Sequence, residues 1–292
     1  MSGPDDLTGA VVASFDEAPE RLRALTQGLV RHLHAFVVEN DLTPQEWRFA
    51  VDFLTRVGHI TTDVRQEVIL LSDTLGVSSL VDLLDSSRTP DSTPSAVLGP
   101  FYVEGPPEVA HGTDISGGDV AGEPVYADLR VTDGAGHPVE GAVVDVWQAD
   151  EAGFYDVQLP DLDGPVLRAR LRTDADGHLD LWTVLPAPYP IPDDGPVGQL
   201  LAAAGRHPMR APHLHVMISA PGRRTLVTQL FVEGGAYLDS DAVFGVKPAL
   251  IVPFAVQDGP PPDSAPESVR ARGSWRQVRF TFRLAVEPDG VR

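Results

Sequence analysis

The chain has 292 residues, with 42 acidic against 22 basic side chains and a formal net charge of -20. This length exceeds that of most single domains, so we expect two units, or one large unit with an appendage. The negative charge disfavours nucleic acid and anionic membrane surfaces as partners, and an anionic substrate would have to be bound by local arginines. The absence of cysteine excludes disulfides and thiolate ligands, so any metal must be held by imidazole, carboxylate or phenolate groups.

The N-terminal sequence MSGPDDLTGAVVASFDEAPE lacks the basic start and the apolar core of a secretory signal. No apolar run in the chain approaches the length of a membrane span. We therefore expect a cytoplasmic protein that does not cross a membrane.

Residues 20–40 follow a polar leader and carry apolar side chains at three- and four-residue intervals, which is typical of an amphipathic helix. The apolar stripe consists of Leu22, Leu25, Leu29, Leu33 and Phe36. A second helix is indicated by Thr43, Pro44 and Glu46, which form a capping box with proline at the first helical position. This second helix should end near Gly58.

A third helix is expected to begin around Thr62 and to stop at Gly76, and a shorter helical turn should follow over 79–87. The composition then changes in the segment SSRTPDSTPSA, which is typical of a linker. We place the domain boundary here, with a helical region over 1–95 and a second domain over 96–292.

Beyond the linker the hydrophobic period becomes two residues. The segments that begin VYADLRV, LRARLRT and APHLHVM each read as two strands joined by a turn, and SWRQVRFTF adds a closing strand. Short alternating strands separated by turn residues favour an antiparallel β-sandwich over alternating βαβ units. The predicted fold class is α+β, with an N-terminal helical region followed by an antiparallel β-sandwich.

The segment RAPHLHV contains the first candidate for a metal site. His213 and His215 are two apart on a predicted strand, so their side chains point to one face, roughly 6.6 Å apart along the strand. Arg210 lies three residues before His213. The two histidines can share one metal ion, or they can be half-buried residues whose rings bond to backbone carbonyls.

Two of the five tyrosines lie in unusual local sequence. Tyr155 follows a predicted strand, and Tyr189 lies in a loop held by prolines on both sides. With the two histidines, two phenolates would form an oxygen and nitrogen donor set that favours Fe(III). Three alternatives remain: packing roles for the tyrosines, a zinc site, or an Fe(II) facial triad that uses His178 and Asp180.

The segment VTDGAGHPVEGAVVDVWQADEAGFY resembles the signature of the intradiol ring-cleaving dioxygenases. LRTDADG, TVLPAPYPIPDDGPVG and RAPHLHV follow in that family's order, and VLGPF and YPIPDDGPVG look closest to the hydroxyquinol 1,2-dioxygenases, with catechol 1,2-dioxygenases next. The similarity runs from the helical region to about Ile251. It identifies the second domain as a catalytic domain.

The resemblance implies one Fe(III) per subunit, held by Tyr155, Tyr189, His213 and His215. Tyr189 would also take up a substrate proton, and Arg210 and Gln229 would lie beside the substrate. The residues that match the pocket wall are Leu70, Asp73, Val97, Leu98, Gly99, Pro100, Phe101, Ile191, Pro192, Arg210 and Val243. Asp73 would accept a hydrogen bond from a third ring hydroxyl, whereas Leu98 stands where some hydroxyquinol enzymes carry an aromatic residue.

The implied reaction uses O2 to cleave an aromatic diol or triol between its adjacent hydroxylated carbons. Hydroxyquinol would give 3-hydroxy-cis,cis-muconate, the tautomer of maleylacetate, and catechols would give cis,cis-muconates. The helical region would form a homodimer and could hold a lipid between subunits. Two other classes compete with this interpretation: a β-sandwich ligand-binding module without a redox metal, and a divalent-metal hydrolase that uses His213 and His215.

Overall fold

A computed structural model describes residues 3–62, 65–118, 120–159, 162 and 164–287. The backbone contacts divide the chain into two compact units, Met1–His59 and Ile60–Arg292. The boundary predicted at residue 95 therefore lies within the second unit. In the described part of the chain, no helix has both the length and the apolar character needed to span a bilayer.

The first unit is helical. Its helices are α1 (Pro4–Ala13), α2 (Glu20–Glu39) and α3 (Pro44–Ile60). No separate helix was predicted in the polar leader before α2, but α1 occupies ten of its residues. Thr8 Oγ1 of α1 lies 2.8 Å from His34 Nδ1 of α2. Helix α2 was predicted correctly, and the five residues of its apolar stripe are each at least 52% exposed within this chain.

The predicted capping box at the start of α3 is confirmed. The backbone N–H of Thr43 donates to Glu46 Oε2 at 2.9 Å, and the backbone N–H of Glu46 donates to Thr43 Oγ1 at 3.3 Å. These two bonds satisfy N–H groups that have no partner inside the helix. The helix continues two residues past the predicted end at Gly58.

Two short helices open the second unit: α4 (Glu67–Thr74) and α5 (Val77–Ser86). The predicted helix start at Thr62 was wrong, because the backbone N–H groups of Thr62 and Arg65 bond within a turn instead. Residues 63 and 64 of that prediction lie outside the described part of the chain. The following segment has no helix or strand between Ser86 and Ala96, as the sequence predicted, whereas its role as a domain boundary stays a prediction.

The described residues after this linker form two larger sheets and one two-residue pair. The strands are β1 (Pro124–Asp133), β2 (Val143–Trp147), β3 (Arg168–Arg172), β4 (His178–Val184), β5 (Tyr189–Pro190), β6 (Met209–Arg210), β7 (His213–Ser219), β8 (Leu226–Val232), β9 (Ile251–Val252), β10 (Ala255–Gln257) and β11 (Trp275–Leu284). Helices α6 (Pro196–Ala203) and α7 (Glu267–Arg272) lie between strands. The sheet orders are β10-β11-β1-β4, β3-β2-β7-β8-β9, and β5-β6.

The strand partners differ from the prediction in two ways. Strands β1 and β2, and likewise β3 and β4, were expected to pair, but the members of each couple lie in different sheets. Strand β1 pairs with β11 in parallel, and β8 pairs with β9 in parallel, so the sheets are not wholly antiparallel. The pairing of β7 with β8 is antiparallel as predicted. A hydrophobic period of two residues shows that one face of a strand is buried, but it does not identify the strand that pairs with it.

One apolar core cluster draws side chains from both large sheets. Val125 and Leu129 of β1 are 0% exposed, as are Val144 of β2 and Leu214 and Val216 of β7. Since alternate residues of β7 enter this core, the intervening His213 and His215 face the other side of their sheet. The core therefore fixes the orientation of the predicted metal-binding histidines.

Candidate active site

The two histidines of β7 are buried side by side. His213 is 2% exposed and His215 is 1% exposed, and their Nε2 atoms lie 2.9 Å apart. His213 Nδ1 donates to the carbonyl of Ala211 at 2.6 Å, which leaves its Nε2 lone pair directed towards His215. The prediction that the two imidazoles share one face is confirmed.

Tyr155 is brought to these histidines by a tight loop after β2. The carboxylate of Asp150 accepts the backbone N–H groups of Ala152 and Phe154, both at 2.9 Å. Gly153 has a φ of +87°, and a Cβ there would lie 3.1 Å from the carbonyl of Pro188, so the loop requires glycine at this position. The phenol oxygen of Tyr155 then lies 3.0 Å from His215 Nε2.

Tyr189 reaches the same place from another segment. It lies directly opposite Arg210 in the β5–β6 pair, and its phenol oxygen is 3.3 Å from Arg210 Nη1. The ring centroids of Tyr155 and Tyr189 are 5.1 Å apart, and neither side chain is more than 2% exposed. We call Tyr155, Tyr189, His213 and His215 the ligand cluster, since the fold gathers their donor atoms from three separate segments.

The chemistry of the ligand cluster fits a trivalent iron ion. Burial lowers the pKa of both His213 and His215 well below the ordinary value, so both imidazoles are in the neutral form that binds metals. Burial also raises the pKa of Tyr155 well above 10.0, so its phenol keeps its proton unless a cation replaces it. Two phenolates would supply the negative charge that hard Fe(III) prefers.

Arg210 supplies a buried cation next to the ligand cluster. The guanidinium is held by Asp241 Oδ1 at 3.2 Å from Nε and by Gln229 Oε1 at 3.0 Å from Nη2. Its Nη1 lies 3.3 Å from both the Tyr189 hydroxyl and His213 Nε2. The guanidinium is thereby fixed in one orientation beside the predicted metal position.

Two residues that contact this site escaped the sequence analysis. Asp241 lies in the loop after β8 and accepts hydrogen bonds from the backbone of Ala211 and Gly245 as well as from Arg210. Trp147 ends β2 opposite His215, and the two rings stack with centroids 4.6 Å apart. A strand-end tryptophan was visible in the sequence, whereas no local motif marks Asp241.

A cavity of about 870 Å³ lies beside the segment 97–101, which we call the wall segment. Six predicted wall residues line it: Leu70, Asp73, Val97, Leu98, Gly99 and Pro100. A Cβ on Gly99 would lie 3.4 Å from His215 Cε1, and the carbonyl of Val97 accepts a hydrogen bond from Gln229 Nε2 at 2.8 Å. The wall segment therefore connects the cavity to the ligand cluster.

The other predicted wall residues do not line this cavity. Phe101 stacks on Tyr155 with ring centroids 4.5 Å apart, and Ile191 is buried two residues beyond Tyr189. Val243 is buried, and its carbonyl accepts a hydrogen bond from Ser79 of α5 at 2.7 Å. Pro192 is partly exposed.

Asp73 is the unusual member of the cavity lining. It is 7% exposed, and its Oδ1 has no hydrogen-bond partner within the described part of the protein. Burial raises the pKa of this carboxyl, although a hydrogen bond from Ser78 and the charge of Arg210 act in the opposite direction. A buried oxygen without a partner is costly, so Oδ1 is a ready acceptor for a ligand hydroxyl.

The alternative metal pair, His178 and Asp180, lies on β4 of the four-stranded sheet. The two residues therefore do not join the ligand cluster, which uses β7 of the five-stranded sheet. They meet His111 instead, with one ligand atom of each of the three within 4.8 Å of the others, so the two histidines and one carboxylate of a facial triad lie together outside the ligand cluster.

Comparison with known proteins adds independent evidence. Residues 97–284 match the family described as "Dioxygenase", and residues 19–93 match "Catechol dioxygenase N terminus", so the two matches meet within the linker. Hydroxyquinol 1,2-dioxygenase of Nocardioides simplex is 50% identical over 96% of this chain and 94% of its own length. The Rhodococcus opacus enzyme of the same name is 49% identical over 98% of this chain and 94% of its own length.

A solved structure gives the same result. The crystal structure of hydroxyquinol 1,2-dioxygenase from Pseudomonas putida DLL-E4 superposes with a TM-score of 0.88 at 43% identity. The match covers 97% of this chain and 99% of that one. The chain therefore belongs to the intradiol ring-cleavage dioxygenases, a family of non-haem iron oxidoreductases.

Proposed function

We propose that the protein is a hydroxyquinol 1,2-dioxygenase. It would cleave 1,2,4-trihydroxybenzene between its adjacent hydroxylated carbons, with both atoms of O2 entering 3-hydroxy-cis,cis-muconate, the tautomer of maleylacetate. The choice of substrate rests on Asp73 Oδ1, which is buried in the cavity lining and has no hydrogen-bond partner among the described residues. A third ring hydroxyl would supply the missing donor, whereas catechol would leave this oxygen unpaired.

In this proposal the ligand cluster holds one Fe(III) per subunit through Tyr155, Tyr189, His213 and His215. When bound, Fe(III) would withdraw electron density from the coordinated diol and make the ring reactive towards O2. The low pKa values of the two buried imidazoles, and the phenol oxygen of Tyr155 3.0 Å from His215 Nε2, support this assignment. The domain 96–292 would be the catalytic domain, with its two large sheets forming a β-sandwich.

The remaining site residues would bind the substrate and move its protons. The phenol oxygen of Tyr189 would accept a proton from a substrate hydroxyl, because it lies at the edge of the ligand cluster beside Arg210. The guanidinium of Arg210 would stabilise negative charge on the ring oxygens without reorganising, since Asp241 and Gln229 already hold it. The apolar wall segment would exclude water from the ring.

The helical region 1–95 would form a homodimer and could bind lipid between subunits. Helix α2 supports this proposal, because Leu25, Leu29 and Phe36 are 54%, 60% and 55% exposed along one stripe. Exposed apolar stripes of this length are typical of surfaces that another chain covers. Sedimentation of the purified protein would test the dimer, and the cytoplasmic location stays a prediction.

Oxygen uptake by the purified, iron-loaded protein tests the function. We expect a coloured protein, because tyrosinate bound to Fe(III) absorbs visible light, and faster turnover of hydroxyquinol than of catechol or 4-chlorocatechol. Faster turnover of catechol would replace the proposed substrate with that of a catechol 1,2-dioxygenase. A colourless protein that binds a diol without consuming O2 would instead favour a ligand-binding module.

A further inference from the structure

Three side chains with metal-binding groups meet at β4 of the four-stranded sheet, whereas β7 of the ligand cluster belongs to the five-stranded sheet. His178 and Asp180 are two apart on β4, and His111 lies in the loop before β1. One ligand atom from each of the three lies within 4.8 Å of the others. We propose that His111, His178 and Asp180, the outer trio, bind a divalent transition-metal ion of the zinc type.

The backbone holds the outer trio in place. The N–H of Gly112 donates to the carbonyl of Asp180 at 2.9 Å, and Ile115 and Thr113 bond to the backbone of Trp182, each at 2.9 Å. The preceding residues of the same loop bond to β3, where Val109 N–H donates to the carbonyl of Arg170 at 2.9 Å. This loop therefore joins an edge strand of each large sheet, with His111 above β4.

His111 presents one ring nitrogen to Asp180. Its Nε2 lies 2.8 Å from the carbonyl of Arg172, which can only accept, so Nε2 carries the proton. In the neutral ring Nδ1 is then a lone pair, and it faces Asp180 Oδ1 at 3.5 Å. Two lone pairs repel each other at this distance unless a proton or a metal ion lies between them.

Neighbouring side chains contact the outer trio and leave a ligand atom of Asp180 available to a cation. The hydroxyl of Tyr126 donates to Asp180 Oδ2 at 2.9 Å, which leaves Oδ1 available for an ion. His178 Nε2 lies 3.1 Å from Asp128 Oδ1, and a carboxylate that contacts a metal-binding imidazole is a common arrangement around such sites. The second oxygen of Asp128 accepts from Arg279 at 2.9 Å, so its charge is partly balanced.

The donor types and their exposure select the kind of metal. Two imidazole nitrogens and one carboxylate oxygen suit zinc and its neighbours better than calcium or magnesium, which prefer oxygen alone. The side chains of His111 and His178 are 35% and 30% exposed, whereas that of Asp180 is 11% exposed, so an ion would keep a position open to water. Bound there, it would tie the loop to β4 and stabilise the fold.

Calorimetric titration of the iron-loaded protein with Zn²⁺ tests the proposal. We expect one zinc equivalent to bind in addition to the iron, with an affinity that falls at least about tenfold in His111→Ala and in Asp180→Asn. His137→Ala is the matched control, because His137 lies 3.5 Å from Asp133 but has a 77% exposed side chain and no place in the trio. This variant should bind zinc as the unaltered protein does.

Two further readouts separate zinc binding at the outer trio from zinc binding at the ligand cluster. The visible absorption of the iron-loaded protein should stay unchanged as zinc binds, while the melting temperature rises. Bleaching on zinc addition would show that zinc had entered the ligand cluster and would overturn the proposal. Zinc binding that is equal in all variants, or no zinc binding at all, would also overturn it.

Discussion

The ligand cluster and the cavity lining differ in how many of their polar atoms contact other polar atoms of the protein. In the ligand cluster, residues are 0–2% exposed, and each donor atom contacts another member or Arg210. In the cavity lining, apolar side chains dominate, Leu98 is 39% exposed, and one oxygen of Asp73 has no partner among the described residues.

This difference separates the reaction from the choice of substrate. The ligand cluster is packed so tightly that replacing any member should disturb the metal and hence every substrate equally. In the proposed function, Asp73 of the cavity lining would contact one edge of the ring, so its replacement should change the relative rates of substrates that differ there. Variants of the two regions should therefore give different kinetic results.

Replacing Tyr155 with phenylalanine should have the largest effect. The change removes one of two phenolates that would balance the charge of Fe(III), so we expect iron content and visible absorption to fall and turnover of every substrate to drop at least about 100-fold. Tyr102→Phe is the matched control, because Tyr102 lies in the same aromatic cluster but donates to Asp145 Oδ2 at 3.0 Å. Retained colour and rate in Tyr155→Phe would remove it from the ligands.

Asp241→Asn should come next. The buried guanidinium of Arg210 would lose its only described carboxylate partner, at 3.2 Å, so we expect kcat to fall about 100-fold. The free energy of unfolding should decrease by about 3 kcal/mol, since breaking a buried ion pair leaves an uncompensated charge. Stopped-flow kinetics and urea unfolding measure the two effects.

Two observations would show that the loss of kcat in Asp241→Asn arises from Arg210. The visible absorption of Asp241→Asn should persist, because no metal ligand is changed. The exposed Asp239, two residues earlier, provides the control variant Asp239→Asn, which should keep both kcat and stability. A normal kcat in Asp241→Asn would show that Gln229 alone holds the guanidinium.

The sequence could predict the parts of the site that depend on local spacing. His213 and His215 face one side because they are two apart on a strand, and the capping box at Thr43 depends on residues three apart. The unusual local sequence around Tyr155 and Tyr189 made them candidates, and the family resemblance then assigned them to the metal. Asp241 could not be found in this way, because its contact with Arg210 depends on how the loop after β8 folds back on β6.

The errors in the fold have a related origin. The turn after β1 looked like a hairpin, but it carries the chain to the other large sheet, and alternating residues are equally compatible with both outcomes. Helix α1 was missed because none of its residues is buried, so its sequence shows no strong apolar stripe. The sequence did contain one signal for the start of this helix, namely Pro4 followed by Asp5 and Asp6 in the first turn.

Asp73→Ala should change the ratio of substrates and leave the metal intact. Without the carboxylate, the third hydroxyl of hydroxyquinol would be buried without a partner, so kcat/KM for hydroxyquinol should fall about ten- to hundredfold. The value for catechol should change much less, and the visible absorption should remain. Asp91→Ala, which removes an exposed acid in the linker, should leave both substrates unaffected. Equal losses for both substrates would show that Asp73 does not contact the third hydroxyl.

The smallest expected effect is a dependence of the same ratio on pH. Burial raises the pKa of Asp73 above its ordinary value of 3.8, so the carboxylate becomes protonated at a higher pH than an exposed aspartate. The charged form is the stronger acceptor, and the preference for hydroxyquinol over catechol should therefore be complete above this raised pKa and decrease as the pH falls through it. Because protonation weakens the contact without removing it, the decrease should be a few-fold, less than in Asp73→Ala. In Asp73→Ala the ratio should no longer depend on pH in this range, and a ratio that still fell would assign the titration to another group, such as a hydroxyl of the substrate itself.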